Sequence, residues 1–338
     1  MKVKVKVPAT SANLGPGFDV AGLAVTLYNT VVFELLEDGL EITGCPHQFC
    51  NQDNLTYRAF VEGAKACGLQ FQGLRIECSG DVPYTRGLGS SSTCIVAGIV
   101  GAYAFMDRSE ERQEILELAT QIEGHPDNVA PAIFGGLTVS VMNDNHVTTL
   151  NIPVKHDYRF VAFIPPFTLS TEKSRAVLPQ QLPRQDAIAN VSHLALMVAS
   201  LINGYDDGLK LGFKDRLHQP YRGTLIKGYD EIMAALEKDE HVLGCYLSGA
   251  GSTIMAVIRE SDKKGVVRMK EELGHLLNDW QVEKLELDMR GYTCDYEEVS
   301  MKDASFYCDK RSQCVIIEAK EMNSNEKLSY TYETLSSR

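Results

Sequence analysis

Residues 83–93 carry the densest group of side chains that could bind a charged ligand. They read Pro-Tyr-Thr-Arg-Gly-Leu-Gly-Ser-Ser-Ser-Thr and lead directly into the apolar run at residues 94–100. Glycines let backbone N–H groups approach an anion, hydroxyl groups add donors, and a following helix N-terminus adds positive partial charge. The pattern favours a polyphosphate-binding loop, although it lacks the Gly-Lys-Ser/Thr ending of the common P-loop. The simpler alternative is a glycine turn before a serine-capped core helix.

Three other segments combine small residues with side chains that could bind a ligand. Residues 8–19 display Asn13 and Asp19, residues 123–131 begin Glu-Gly-His-Pro-Asp-Asn, and residues 247–253 contain Ser-Gly-Ala-Gly-Ser. Each has an ordinary explanation when taken singly. Asn and Asp in such loops usually bond their own backbone, and a Gly-Ala-Gly turn commonly reflects backbone geometry.

The elements that must position these segments are mixed strands and helices. Lysine and valine alternate over residues 2–7, which is typical of a strand with one buried face. Periodicity predicts helices over 55–67, 109–123, 187–203, 224–238 and 266–277, and further strands over 28–36, 74–78, 137–142, 160–164, 253–258 and 281–287. Because they interleave without a βαβ repeat, we predict two α+β lobes joined by a polar linker at residues 143–157.

Composition limits the classes of function. Hydrophobic residues make up 44% and charged residues 23% of the 338 residues, as in ordinary globular proteins. The net charge of −12 disfavours non-specific binding to nucleic acid or to an anionic membrane. The start has no apolar leader, and the nine cysteines form no CxxC pair, so we expect reduced cysteines in a cytoplasmic protein. A dehydrogenase is disfavoured because no Gly-x-Gly-x-x-Gly follows a strand.

Together, in this order and spacing, the four segments resemble the GHMP small-molecule kinases, and residues 8–19 and 123–128 are similar to the members that phosphorylate L-homoserine. The resemblance extends over most of the chain and stops near Tyr292. It implies an ATP-binding lobe of the ribosomal-protein-S5-like type over 1–150 and a ferredoxin-like lobe over 151–293. Residues 294–338 would be an extra tail. The implied reaction converts ATP and L-homoserine to ADP and O-phospho-L-homoserine.

The resemblance also implies a set of residues that hold ATP and Mg²⁺. Ser91 (with Ser90 or Ser92 as alternatives) and Glu123 would be the metal ligands, and Glu117 competes with Glu123. Hard Mg²⁺ prefers such oxygen ligands. The residues expected to contact ATP are Asn54, Pro83, Arg86, Gly87, Leu88, Gly89, Ser90, Ser91, Ser92, Thr93, Ser248, Gly249 and Gly251.

On the substrate side, residues 171–179 resemble the segment that holds the amino acid. Thr171, Arg175 and Arg222 would take the carboxylate, since the planar arginine fork pairs with a carboxylate through two hydrogen bonds. Residues expected around the amino and hydroxyl groups are Asn13, Asp19, His125, Asp127 and Asn128. Asp127 is the candidate base, with Asn128 beside it, and the γ-phosphate is the alternative proton acceptor.

Two other functions are weighed against this one. A related kinase acting on mevalonate or another small alcohol would share the ATP loops but would not need two carboxylate-binding arginines. A non-catalytic nucleotide sensor would share the scaffold, and loss of Glu123 or Asp127 would favour it, yet both are present. The expected partner is a small molecule, with no nucleic acid or membrane, and with self-association as a homodimer.

Overall fold

The computed structural model of the protein describes residues 1–144, 146–155 and 157–297, and the short strands Tyr307–Cys308 and Cys314–Val315. Residues 1–297 form one compact unit, and residues 298–338 form another that contains the two short strands, which pair with each other. The division of the first unit at residue 150 and the beginning of a tail at residue 294 stay predictions.

The first sheet has seven strands, and its N-terminal strand lies in the interior of the sheet. Its strands are β1 (Lys2–Ala12), β2 (Ala21–Leu36), β3 (Gly39–Thr43), β4 (Gly73–Gly80), β5 (Leu137–Asn143), β6 (His146–Ile152) and β11 (Thr293–Glu297). β1 pairs with β2 on one side and with β11 on the other, both antiparallel. Val3, Val5 and Val7 are fully buried, which confirms the alternation predicted for this strand.

Four helices accompany this sheet: α1 (Leu55–Cys67), α2 (Ser90–Phe105), α3 (Arg112–Glu123) and α4 (Pro126–Phe134). α2 is deeply buried, because nearly all of its residues from Ser92 to Ala104 are shielded from solvent. It packs closely against α1, where the backbone of Thr56 lies against Gly98. The apolar run after the Gly-Ser segment is therefore a core helix.

The second sheet has four antiparallel strands in the order β10-β7-β9-β8. They are β7 (Tyr158–Ile164), β8 (Val242–Leu247), β9 (Ile254–Arg259) and β10 (Gln281–Leu285). The helices of this half are α5 (Thr171–Ala176), α6 (Arg184–Asn203), α7 (Asp206–Gly212), α8 (Gln219–Arg222), α9 (Tyr229–Lys238) and α10 (Gly265–Leu273). The mixed architecture confirms the predicted α+β class.

One buried cluster joins the two sheets. It includes Leu23 and Val25 of β2 together with Phe160 of β7, Tyr246 of β8 and Met255 of β9. Separate clusters lie beneath the outer faces of the two halves. Since residues of both sheets share one apolar interior, the loops at the boundary between the sheets are held from both sides.

Two predictions from periodicity are wrong. Residues 143–157 are not a linker, because His146–Ile152 forms β6 and pairs with β5 throughout. Its polar composition reflects the exposure of most of its residues at the border of the sheet. The helix predicted over 224–238 is interrupted, with a 3₁₀ turn at Gly223–Leu225 and a new helix beginning at Tyr229.

Within the described ranges, α6 is the one helix long and apolar enough to cross a membrane by length and composition, with a mean hydropathy of 1.3. A single such helix is weak support for a membrane span. Here Met197 and Leu201 belong to the cluster that joins the sheets, and Asn190 donates a hydrogen bond to Asp215 at 2.8 Å. These contacts hold one face of α6 on the core, while Ile188 and Val191 of the same helix are exposed.

Candidate active site

Two cavities meet at the N-terminus of α2, where Thr85, Ser90 and Ser91 line both. The first cavity, of about 220 Å³, is otherwise lined mainly by Asn29, Gly44, Cys45, Phe49, Asn54, Cys78, Tyr84, Thr93 and Cys94. The second cavity, of about 110 Å³, is otherwise lined by Asn13, Asp19, Gly87, Gly89, Glu123, His125, Asp127, Asn128, Thr171, Arg175, Arg222, Gly249, Ala250 and Gly251. The second cavity therefore brings together all four glycine-bearing segments.

The Gly-Ser segment ends in the helix N-terminus that separates the two cavities. Gly89 is the N-cap of α2, with φ of +68°, and no side chain caps the helix. A Cβ at Gly89 would overlap Oγ1 of Thr10, so the backbone there approaches β1 as only glycine allows. The first N–H groups of a helix have no partner within it. Those of α2 open towards the cavities, which is an arrangement suited to an anion.

Ser91 and Ser92 both donate hydrogen bonds to Oε1 of Glu123, at 2.7 and 3.1 Å. Glu123 is the last residue of α3, so its carboxylate lies across from the first turn of α2. Glu117 is engaged elsewhere, accepting from Gln113 at 2.9 Å and contacting Nδ1 of His146 at 2.8 Å. A hydroxyl and a carboxylate oxygen thus meet at the shared edge of the cavities, and they come from Ser91 and Glu123.

Asp19 and Arg175 form a two-point ion pair inside the second cavity. Nη2 of Arg175 donates to Oδ1 of Asp19 at 2.8 Å and Nη1 donates to Oδ2 at 3.2 Å. Asn13 stabilises this geometry because its Oδ1 accepts from the backbone N–H of Asp19 at 3.0 Å. Its amide also donates to the carbonyl of Gly249 at 2.9 Å, which ties the opening loop to the distant glycine turn.

Arg222 is a buried cation, with 2% of its surface exposed. Its guanidinium donates to the carbonyls of Ser174 and Gly249, at 3.2 and 3.0 Å, and lies over the ring of Phe18. Burial, and next the positive charge of Arg175, lower the pKa of Arg222 to about 10, so it remains charged at neutral pH. Within residues 1–144, 146–155 and 157–297, no carboxylate forms an ion pair with Arg222. An anionic ligand in the second cavity would supply the missing counter-charge.

His125 and Asp127 form a close pair at the beginning of α4. Nδ1 of His125 lies 2.5 Å from Oδ1 of Asp127, which is almost fully buried. Burial alone would lower the pKa of His125, but the hydrogen bond and charge of Asp127 outweigh it, and the pKa is raised. Asn128 is held separately, because Oγ1 of Thr10 donates to its Oδ1 at 2.8 Å. These polar groups therefore face the cavity in fixed orientations.

The structure brings most of the predicted site residues to one of the cavities, but not all. Leu88 is part of the shared core, and Ser248 donates to the carbonyl of Gly87 at 2.5 Å. Nη2 of Arg86 donates to the carbonyl of Pro166 at 3.1 Å. The side chains of these three residues, and of Pro83 and Ser92, are absent from both cavity linings among the described residues.

Asn54 lines the first cavity, and its side-chain amide also caps a helix. Its Oδ1 caps α1 by accepting from the N–H groups of Thr56 and Tyr57, at 2.9 and 3.2 Å. Phe49, Tyr84 and the cysteines of this cavity are not among the site residues predicted from the sequence. Tyr84 lies within the Gly-Ser segment and Cys94 directly follows it, whereas Cys45, Phe49 and Cys78 lie outside the recognised motifs. Their residue types alone are not specific for a ligand.

Comparison with known proteins places these features in a family. The model of the GHMP kinases N terminal domain matches residues 54–136, and that of the GHMP kinases C terminal region matches residues 199–275. The homoserine kinase of Clostridium beijerinckii is 46% identical over 292 residues, covering 86% of this chain and 98% of that protein. The homoserine kinase of Clostridium botulinum strain Okra is 46% identical over 289 residues, with 86% and 97% covered.

Solved structures give the same assignment. A homoserine kinase from Cytophaga hutchinsonii superposes with a TM-score of 0.78 at 27% identity, covering 87% of this chain and 97% of that one. A putative homoserine kinase from Listeria monocytogenes gives a TM-score of 0.71 at 29% identity, covering 87% and 100%. The mevalonate kinase of Methanococcus jannaschii, at 14% identity and a TM-score of 0.61, shares the fold over 84% of this chain and 98% of its own. The chain belongs to the GHMP kinase family.

Proposed function

We infer that the protein is an ATP-dependent homoserine kinase, which phosphorylates the side-chain hydroxyl of L-homoserine to give O-phospho-L-homoserine. The enzymes it resembles over 86% of its length are homoserine kinases. The observation that carries the substrate assignment is the buried guanidinium of Arg222, which pairs with no carboxylate of the described residues and lines the same cavity as the Asp19–Arg175 pair. A carboxylate and an ammonium on one small molecule satisfy all three groups.

Substrate binding then replaces the ion pair between Asp19 and Arg175 by ion pairs between these residues and the charged groups of homoserine. The ammonium group of homoserine pairs with Asp19, and its carboxylate pairs with Arg175 and Arg222, with the hydroxyl of Thr171 at the same wall. Phe18 supports both guanidinium groups, which lie 5.6 and 5.0 Å from its ring centre. An alcohol without the ammonium group would separate Asp19 from Arg175, and the carboxylate of Asp19 would then have no partner. Such a penalty rejects analogues more strongly than a missing apolar contact does.

The phosphate groups of ATP are assigned to the N-terminus of α2 and its glycine loop, and the adenosine to the first cavity. Ser91 and Glu123 fit Mg²⁺, since their hydroxyl and carboxylate oxygens already lie within 2.7 Å of each other and are the hard donors this ion prefers. When bound, Mg²⁺ supplies neutralisation of the charge on the β- and γ-phosphates. Glu123 is proposed over Glu117 because only Glu123 faces the cavities.

Two groups are candidate acceptors for the proton of the homoserine hydroxyl, namely Asp127 and the γ-phosphate. Nδ1 of His125 lies 2.5 Å from Oδ1 of Asp127, so this carboxylate oxygen is already engaged before a substrate binds. We therefore assign Asp127 and Asn128 to orienting the hydroxyl and the γ-phosphate to accepting the proton. The change Asp127→Asn tests this assignment: a fall in kcat of less than about tenfold agrees with it. A fall of three orders of magnitude or more would identify Asp127 as the base.

The proposed function is tested by ADP release from Mg-ATP in a coupled assay. The panel contains L-homoserine, L-threonine, L-serine and mevalonate, each over a range of concentrations. We expect the highest kcat/KM for L-homoserine. A preference for mevalonate would overturn the substrate, and absence of ADP release with every member, combined with tight ATP binding, would indicate a nucleotide sensor.

We also propose that the protein is a cytoplasmic homodimer that binds neither nucleic acid nor membrane. The net charge of −12 supports the part of this proposal that excludes nucleic acid and anionic membrane. Light scattering coupled to size-exclusion chromatography measures the mass in solution, and a monomeric mass across the micromolar range would contradict the homodimer.

A further inference from the structure

The wall of the first cavity contains two cysteines whose sulfur atoms are in contact. Cys45 and Cys50 flank a 3₁₀ turn at His47–Phe49, and their Sγ atoms lie 3.7 Å apart. Cys45 and Phe49 line the cavity, while both cysteines are partly exposed. A pair of reachable thiols thus brackets a turn that shapes the cavity assigned to adenosine.

The geometry is close to that of a disulfide. A disulfide bond is about 2.05 Å long, so the two sulfurs need to approach by less than about 2 Å. The side chain of Cys50 is already folded back over the turn, because its sulfur contacts the carbonyls of Cys45 and Pro46 at 3.7 and 3.8 Å. Rotation of one or two side chains, with a small shift of the turn, is sufficient to bring the sulfurs to bonding distance.

We propose that Cys45 and Cys50 are a redox modification site, oxidised by a small-molecule disulfide to an intramolecular disulfide that weakens nucleotide binding in the first cavity. The Cys50 thiolate attacks one sulfur of the small disulfide, which releases one small thiolate and leaves a mixed disulfide on Cys50. The sulfur of Cys45 then attacks Cys50, loses its proton and expels the second small thiolate. Two protein thiols are oxidised, and one small disulfide is reduced to two thiols.

The assignment of roles follows from the surroundings of the two sulfurs. Burial, and next the hydrogen bond to Cys50, raise the pKa of Cys45 to about 11, so Cys45 is a thiol at neutral pH. A thiol that stays protonated reacts slowly with an external disulfide, since the thiolate is the nucleophile. Cys45 therefore acts second, when the mixed disulfide is already beside it. Disulfides that form in reducing compartments are typically transient and regulatory.

The effect on the cavity is transmitted through Asn54. Its Nδ2 contacts the sulfur of Cys45 at 3.8 Å and donates to the carbonyl of Phe49 at 2.9 Å, while its Oδ1 caps α1. Movement of Cys45 towards Cys50 draws this sulfur away from Asn54 and shifts the ring of Phe49 in the cavity wall. That the affected ligand is ATP rests on the proposed function, whereas formation of the disulfide does not.

The experiment uses the full-length protein, treated with oxidised glutathione and then analysed in two ways. Non-reducing peptide mapping should recover a Cys45–Cys50 cross-link, and the KM for ATP should rise several-fold, with recovery after dithiothreitol. The variant Cys50→Ser should show neither response. The matched control Cys294→Ser, which removes a partly buried cysteine of β11 far along the chain, should respond like the wild type.

Absence of the cross-link from the oxidised protein would overturn the modification site. A cross-link with an unchanged KM for ATP would overturn its effect on the nucleotide. Failure of the proposed function is distinguishable, because ADP release by the reduced enzyme is measured before oxidation. If the reduced enzyme is inactive, peptide mapping still decides the modification, and calorimetric titration with ATP replaces KM.

Discussion

Arg175 and Arg222 face the same cavity, yet their charges are balanced differently. Arg175 already has Asp19 as its partner, whereas Arg222 is buried without an ion pair among the described residues. We therefore expect substrate binding to depend more strongly on Arg222 than on Arg175. The two arginines are the same residue type in unequal surroundings.

Replacing Arg222 by Met should lower kcat/KM for L-homoserine by roughly a hundredfold, about 3 kcal/mol, since a desolvated charge pair would be lost. The KM for ATP should change little. Steady-state kinetics with each substrate varied measures both. Arg216→Met is the matched control, because Arg216 is exposed and pairs with Asp186 at 3.0 Å outside the cavities. Equal losses for ATP and homoserine would indicate that Arg222 acts only on folding.

The His125–Asp127 pair predicts a pH dependence of stability. The pKa of His125 is raised in the folded protein, so protonation favours folding. Its contribution is fully present below the unfolded value of about 6.5 and is lost as the pH rises through the folded value. Urea unfolding of the wild type and His125→Asn should therefore show a larger stability difference at about pH 6 than at about pH 8. A difference that grows with pH would contradict the pairing.

At the scale of elements, the beginning of α2 leaves no room for a side chain at Gly89. Gly89→Ala would place a methyl group against Thr10 and force an unfavourable backbone angle. We expect it to raise the KM for ATP at least tenfold and to cost about 2 kcal/mol or more of stability. In this variant we expect ATP binding to be weakened while the protein still folds.

The control for this change is Gly68→Ala at the end of α1. Gly68 has φ of +81°, similar to Gly89, but a Cβ there would meet no described atom within 4 Å. It should cost about 1 kcal/mol through backbone strain and leave the KM for ATP unchanged. Thermal unfolding and ATP kinetics of both variants separate strain from loss of the site. Similar KM values in the two variants would contradict the role of the glycine loop.

Sequence patterns predicted the elements in which buried and exposed side chains recur at a regular spacing. β1 was recognised because Val3, Val5 and Val7 face one core, and α1 because residues 55–67 have helical spacing. β6 was missed because most of its residues are exposed, so burial leaves no alternation to read. Contacts between residues far apart in the sequence could not be predicted from these patterns either. The choice between Glu117 and Glu123 depends on which carboxylate meets Ser91 across two helices, and local sequence does not encode that.

At the scale of the whole molecule, the shared core predicts one cooperative unfolding event for residues 1–297. Leu23 of β2 lies in the cluster that also contains Phe160 and Met255 of the second sheet. Leu23→Ala should destabilise the protein by about 2–5 kcal/mol and move a single calorimetric transition to lower temperature. Separation of the trace into two transitions would show that the two sheets unfold independently.

Truncation tests how β11 completes the first sheet. A chain ending at residue 297 keeps all five residue pairs between β1 and β11, whereas a chain ending at residue 292 has none of them. We expect the first chain to unfold near the melting temperature of the full-length protein and the second to unfold at a clearly lower one. Circular dichroism melts compare them directly, and identical melts would mean that β11 contributes nothing to stability.

The pairing of β1 with β11 also orders events during synthesis. β1 gains β11 as its second neighbour only after Glu297 has been made. Until then one edge of β1 can be joined by a strand of another nascent chain. Lys2, Lys4 and Lys6 alternate along that strand, and repeated charge of one sign opposes the pairing of identical chains. We therefore expect the three lysines to disfavour the pairing of identical chains at this edge until β11 is added.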